Sequence, residues 1–90
     1  MDPQENLIRE ADDLLRRCRA LQAAGSGPFL LPSLIESLEG LSHTIEASFE
    51  ERRRHAAGFG RILTDDYEFM ETSLAEDLAD FVNTYAEWGE

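Results

Sequence analysis

Carboxylates and a histidine at helical spacing in the middle of the chain are the residues best suited to hold a metal ion. Glu39, His43, Glu46 and Glu50 recur at intervals of four, three and four residues, which places them on one side of a helix. Di-iron bundles use a Glu-x-x-His motif on facing helices, but here His43 precedes Glu46. We therefore expect a solvated helix flank without a cofactor. A carboxylate–histidine metal-binding helical bundle is kept as an alternative.

A run of basic residues follows this row. Arg52, Arg53, Arg54 and His55, with Arg61 nearby, could clamp a phosphate group. Successive residues of a helix point in different directions, so at most two of these side chains would converge. Because acidic residues dominate elsewhere, we expect the arginines to pair with carboxylates of the same chain or of a second copy.

Motifs for covalent catalysis and nucleotide binding are missing from the sequence. Cys18 is the single cysteine, which excludes an internal disulfide and a cysteine-based zinc site. It lies on an apolar helical stripe and is interpreted as a small buried residue. The pairs Gly25-x-Gly27 and Gly58-x-Gly60 lack the third glycine and the preceding strand of a nucleotide fold. We expect no enzymatic activity.

The elements that must position these residues begin with a helix over residues 3–24. Asp2 can cap it, Pro3 suits the first helical position, and Glu5 can complete a capping box. Gly25 is a natural residue to end it. Its apolar stripe recurs at four-three spacing: Leu7, Ala11, Leu14, Cys18 and Leu21.

A second helix is predicted over about residues 32–57. Ser33 begins another capping box with the glutamate three residues later. Gly40 in its interior costs about 1 kcal/mol relative to alanine, which suggests close approach of another backbone. Gly58 and Gly60 are expected to break or weaken the helix. Its stripe comprises Leu34, Leu38, Leu41, Ile45 and Phe49.

The stretch 59–72 can be read as helix or as a small β-hairpin. We favour helix, because an isolated hairpin is marginally stable and no third strand is visible. The last helix could begin at a capping box at Asp65 or at Ser73. The stripe of this helix is Leu74, Leu78, Phe81, Tyr85 and Trp88, and most of the aromatic-rich zone that contains Tyr67, Phe69 and Met70 is expected to be core.

From Ile62 to the last residue the chain contains no basic side chain. Glu76, Asp80 and Glu87 hold helical spacing on the face opposite the apolar stripe. An acidic amphipathic helix with terminal aromatic residues is typical of a docking surface. The residues predicted to bind a partner are Asp77, Asp80, Phe81, Tyr85, Glu87 and Trp88.

The totals limit the class of protein. The net charge of −11 and the pI near 4.4 disfavour direct binding to nucleic acid or to an anionic membrane. The first residues do not resemble a secretory signal and no apolar run could span a bilayer, so a cytoplasmic location is expected. Ninety residues make one helical domain, 1–90, with a marginal core, so a homo-oligomer is expected.

Together these patterns predict an all-α fold, a small antiparallel three-helix bundle or a helical hairpin completed by a second copy. The predicted function is a non-enzymatic protein–protein interaction module that regulates, inhibits or scaffolds a partner with a basic surface. A nucleic-acid charge mimic that inhibits a basic nucleic-acid-binding protein is a narrower alternative within the same class.

Overall fold

The computed structural model describes residues 3–25 and 29–87, and every regular element in those ranges is an α-helix. The all-α prediction is confirmed. The predicted count of three helices is not, because the described residues form five. These are α1 (Pro3–Ala23), α2 (Leu31–His43), α3 (Phe49–Leu63), α4 (Tyr67–Met70) and α5 (Ser73–Glu87).

The four long helices run alternately up and down and form a ring of neighbours. α1 packs on α2, α2 on α3, α3 on α5, and α5 on α1. Arg17, late in α1, meets Asp77 at the start of α5, whereas Arg52, early in α3, reaches Tyr85 near the end of α5. The bundle measures 36 × 23 × 19 Å. We call the end that holds the last turn of α1, the start of α2, α4 and the start of α5 the α4 end.

Helix α1 agrees with the sequence prediction to within one residue. Its stripe of Leu7, Ala11, Leu14 and Cys18 is buried in the core, as the four-three spacing requires. Gly25 follows the helix with a φ of 72°, a left-handed conformation that glycine adopts without the steric cost of a Cβ atom.

The predicted second helix over residues 32–57 is wrong, because the chain turns between His43 and Phe49. α2 ends at His43, and α3 starts after Ser48, whose Oγ accepts a hydrogen bond from the backbone N–H of Glu51 at 3.2 Å. A single helix of that length would extend about 39 Å, more than the long axis of the bundle. The turn instead brings Phe59 into the core at 0% exposure.

Three local predictions for these helices are also corrected. The residue before α2 is Leu30, and no side chain caps this helix, so the capping box at Ser33 is not used. A Cβ atom added at Gly40 would meet nothing within 4 Å, so no backbone approaches it closely. α3 continues through Gly58 and Gly60 to Leu63 without a break.

The stretch 59–72 is helical, as favoured, and contains no strand in the structure. Each of the two predicted starts, Asp65 and Ser73, is displaced by one residue: the first cap is Asp66, one residue later, and the second is Thr72, one residue earlier. Asp66 Oδ1 accepts the N–H of Phe69 at 3.1 Å and starts α4, and Thr72 Oγ1 accepts the N–H of Ala75 at 3.2 Å and starts α5. Two caps six residues apart separate a one-turn helix from the long one.

All five helices contribute to one core. Its largest fully buried side chains are Tyr85, Phe59 and Phe81. Arg52 is also buried, at 3% exposure, and its Nη1 donates to the Tyr85 carbonyl at 3.4 Å. Its guanidinium carbon lies 5.9 Å from the centroid of the Phe49 ring. Within the described ranges, no helix combines the length and the apolar character that crossing a bilayer demands.

Candidate docking surface

The acidic members of the predicted partner-binding set lie on the solvent side of α5. Asp77, Asp80 and Glu87 are exposed. Arg17 Nη1 donates to Asp77 Oδ2 at 2.7 Å, with the two side chains 38% and 49% exposed. An ion pair at that exposure contributes about 0–1 kcal/mol. The sequence offered no arginine near Asp77, and the antiparallel packing of α1 on α5 supplies one.

The apolar members of the same set lie in the core. Phe81 and Tyr85 are 1% and 0% exposed, and their ring centroids are 6.2 Å apart. These two rings present no surface to a partner in this fold, because α5 buries its stripe between α1 and α3. Trp88, the remaining aromatic of the predicted set, lies outside the described residues.

Tyr85 also carries a buried polar contact. Its hydroxyl oxygen lies 2.6 Å from Thr44 Oγ1, and Thr44 Oγ1 itself donates to the Gly40 carbonyl at 2.8 Å. Either hydroxyl of the Tyr85–Thr44 pair could be the donor. Burial raises the pKa of the Tyr85 phenol above its ordinary value, so the group remains neutral at physiological pH.

Exposed apolar side chains are concentrated at the α4 end. Four large hydrophobic residues are exposed in the described part of the chain: Ile8 (44%), Phe29 (102%), Tyr67 (85%) and Met70 (41%). Only Ile8 lies away from that end. Tyr67 and Met70 were expected to be core. The sequence signal for their exposure is the shortness of α4. A helix of one turn that packs Phe69 into the core leaves its other apolar residues exposed.

A groove of about 730 Å³ opens between the last turns of α1, α4 and the first turn of α5. Leu21, Phe69 and Leu74 supply its apolar floor, together with the methyl groups of two alanines of α1 and its C-terminal turn. Asp66 and Glu68 stand on its rim. Half of the lining residues are polar or charged and half are apolar, so the groove offers both anchoring area and groups that can orient a ligand.

The carboxylates around this groove have few basic neighbours. Residues 62–87 carry eight acidic side chains and no basic one. Among the described residues, Asp77 is the single member of this group with an arginine within ion-pair distance. We call the exposed part of 64–87 the acidic surface. Its exposed carboxylates are Asp65, Glu68, Glu71, Glu76, Asp77, Asp80 and Glu87, and Asp66 beside them is half-buried.

The row considered for metal binding does not share one helix face. Glu39 lies on α2 and accepts from Arg19 Nη2 at 2.7 Å, whereas Glu46 lies in the turn and accepts from Gln4. Glu50 belongs to α3. Within the described ranges, no three histidine, cysteine or carboxylate side chains come together in a way that could hold a metal ion.

Arg53 and Arg54 of the basic run are exposed, whereas Cys18 is buried. Arg53 places its guanidinium carbon 5.6 Å from the Phe49 ring centroid, and with Arg54 and Glu50 it lines a shallow, open cleft. Cys18 is fully buried, and burial raises the pKa of its thiol despite the nearby charge of Arg17. A buried thiol with a raised pKa is a poor nucleophile.

The fold and the surface can be compared with known proteins. No protein-family model matches the chain, and no curated protein and no solved structure match it. Its function is therefore inferred from the chemistry of its own surface.

Proposed function

We propose that this protein is a non-enzymatic interaction module that binds a partner protein through the acidic surface. The observation that supports the proposal is the excess of unpaired carboxylates over residues 64–87, where Asp77 alone has an arginine partner among the described residues. A surface that carries charge of one sign attracts a partner of the opposite charge and accelerates its association. The expected partner therefore has a basic surface.

The cost of this arrangement to the fold also supports a binding role. Like charges at (i, i+4) on a helix destabilise it, and Glu76 and Asp80 have that relation on α5. Dispersed charges of both signs would keep the chain in solution without this cost. The exposed Tyr67 and Met70 lie in the same part of the chain, and both residue types are enriched at interfaces.

Affinity capture from the native cell tests the proposal when it is made with matched charge variants. The test variant carries Glu76→Gln, Asp80→Asn and Glu87→Gln, all exposed sites of α5. The control removes the same number of charges at Glu10, Asp12 and Glu36, exposed sites of α1 and α2.

We expect the wild-type chain and the control to retain a basic protein that the α5 variant loses. Retention of the same proteins by both variants, or capture of acidic proteins, would contradict the proposal. Since surface charge acts over a Debye length of about 10 Å at 0.1 M salt, the captured complex should also weaken when salt is added.

A nucleic-acid charge mimic is the narrower form of this function. Glu76, Asp80 and Glu87 form a row of exposed carboxylates along one helix, which resembles the repeated negative charge of a nucleic-acid backbone. A captured partner that normally binds nucleic acid, and that is displaced from this protein by DNA or RNA fragments, would favour this form. A partner that does not bind nucleic acid would favour the more general interaction module.

Self-association is a further part of the proposal. A 90-residue chain buries a smaller fraction of its surface than a larger domain does, and a homo-oligomer would cover the exposed Phe29, Tyr67 and Met70 at the α4 end. We place the module in the cytoplasm as a regulator, inhibitor or scaffold. Light scattering at increasing protein concentration measures the oligomeric state.

A further inference from the structure

We propose that the groove at the α4 end binds the apolar face of a basic amphipathic helix of the partner. The inference depends on the proposed function and identifies where, and by what chemistry, the partner is held. The groove supplies apolar area for anchoring side chains, and its rim supplies the negative charge that selects basic flanking residues. Helices that dock in this way present anchors at i, i+3, i+4 and i+7.

The leucines show that apolar surface is left uncovered at the groove. The described residues include twelve leucines, and nine of them are buried. The three that remain partly exposed are Leu21, Leu30 and Leu74. Leu21 and Leu74 line the groove, and Leu30 precedes α2 at the same end of the bundle. This end of the bundle therefore retains apolar area that a ligand could bury.

The volume of the groove suits more than one side chain. About 730 Å³ lies within the range of about 300–1,000 Å³ found for ligand pockets. Met70 and Tyr67 are exposed on the same short helix as the groove residue Phe69, but neither lines the groove. The apolar lining comes from the last turns of α1, from Phe69 and from Leu74.

Charge determines the class of helix. Asp66 and Glu68 line the groove, and Asp65 and Glu71 flank them in the chain. Arg17 also lines it, but its charge is already compensated by Asp77 at 2.7 Å. The rim is therefore net negative. Arginine or lysine beside the anchors would form charge-assisted hydrogen bonds there, whereas an acidic helix would be repelled.

Two tryptophan variants separate the groove from the rest of the acidic surface. Ala20 is exposed and lines the groove, so Ala20→Trp would fill it without removing a core side chain. Ala57, an exposed alanine in the middle of α3, lies outside the groove, and Ala57→Trp is the matched control. Circular dichroism and thermal melting of both variants establish that they are folded.

The probe is a displayed library of random 16-residue peptides selected on the wild-type chain. We expect selected peptides to combine arginine or lysine with bulky apolar residues at i, i+3 or i+4. Their affinity should fall by at least about tenfold on Ala20→Trp, the loss typical of a blocked hot spot, and should be unchanged on Ala57→Trp. Chemical-shift changes in the wild-type chain should centre on Leu21, Phe69 and Leu74.

The other outcomes identify which idea fails. If basic peptides bind both tryptophan variants equally, or shift the signals of Asp80 and Glu87 on α5 rather than those of the groove residues, the groove assignment is overturned and the proposed function stands. Selection of acidic or uncharged peptides, or of none, would overturn both. If a selected peptide converts a dimer to a monomer in light scattering, the groove is occupied by a second copy and the assignment to a partner helix is wrong.

Discussion

Tyr85 shows how one residue can satisfy a docking pattern and a core pattern at once. Large aromatic residues at four-three spacing near the end of a helix suit an interface anchor as well as a helix face that packs inward. In the structure the ring is fully buried and its hydroxyl reaches Thr44 at 2.6 Å. Buried polar groups need such partners, so the contact explains how a phenol is accommodated in the core.

Replacing Tyr85 with phenylalanine should destabilise the fold by about 1 kcal/mol, the usual net value of a neutral hydrogen bond. The cost should be no larger, because Thr44 Oγ1 keeps its own bond to the Gly40 carbonyl and is not left without a partner. The measurement is the midpoint of urea unfolding near neutral pH, followed by circular dichroism.

Tyr67→Phe is the control for this substitution. Tyr67 is 85% exposed, so the same chemical change there should leave the urea midpoint unchanged. Equal midpoints for Tyr85→Phe and the wild type would show that the contact between Tyr85 and Thr44 contributes no net stability.

The raised pKa of Tyr85 predicts a loss of stability in alkali. Burial holds the pKa of the phenol above its ordinary value of 10.0 in the folded chain. As pH rises past 10.0, the unfolded chain releases the proton first and the free energy of unfolding falls. The stabilisation is therefore complete below pH 10.0 and declines as pH rises through the folded pKa.

The difference between wild type and Tyr85→Phe isolates this effect. Cys18 also has a pKa raised by burial, but it is present in both proteins and its contribution cancels. The stability advantage of the wild type should shrink with each increase of pH above 10.0 in urea titrations. A constant advantage over that range would contradict the prediction.

The turn between α2 and α3 shows how capping divides one apolar stripe between two elements. The four-three stripe from Leu34 passes Ile45 and reaches Phe49 without interruption, yet the helix ends at His43. Ser48 and Glu51 have the spacing of a capping box, and the side chain of Ser48 accepts the N–H of Glu51. The cap compensates an unpaired donor at the start of α3.

Ser48→Ala should therefore destabilise the chain by about 1 kcal/mol, the typical value of an N-cap. Ser33→Ala is the matched control, because Ser33 is exposed in the first turn of α2 and caps nothing in the structure. It should be neutral or slightly stabilising, since alanine has the higher helix propensity. Thermal or urea unfolding of both variants ranks them, and the opposite ranking would contradict the observed helix boundaries.

These elements also show what the sequence can and cannot predict. Periodicity was sufficient for α1, whose stripe and terminal Gly25 agree with each other. It failed between α2 and α3, because a stripe records which residues face the core but not where the chain reverses. It also could not separate core from interface at the end of α5, since both require apolar residues. Exposure at α4 depends on helix length, which the two caps at Asp66 and Thr72 determine.

At the scale of the whole molecule, charge is distributed unevenly among the helices. All eight arginines lie on α1 and α3, and α2 and α5 carry none. α1 and α3 alternate with α2 and α5 around the bundle. α2 and α5 therefore each have two arginine-bearing neighbours. Among the described residues, the ion pairs that join these helices are Arg17–Asp77 and Arg19–Glu39. Most of the described carboxylates are therefore without an ion pair.

This uncompensated charge predicts that salt stabilises the fold. The Debye length is about 30 Å at 0.01 M ionic strength and about 10 Å at 0.1 M, whereas the bundle measures 36 × 23 × 19 Å. At the lower salt concentration, repulsion acts across the whole molecule and opposes compaction. Added chloride salt should therefore raise the urea midpoint, even though it weakens the two exposed ion pairs, each worth about 0–1 kcal/mol.

The α5 variant with Glu76→Gln, Asp80→Asn and Glu87→Gln tests the effect of these charges on both stability and binding. Removal of three repelling charges should raise the urea midpoint at 0.01 M salt and flatten its dependence on salt. The same variant should bind a basic partner more weakly, because the attracting charge is lost. A midpoint that falls with salt would mean that attractive pairs dominate. A variant that loses both stability and binding would assign these carboxylates to the fold rather than to docking.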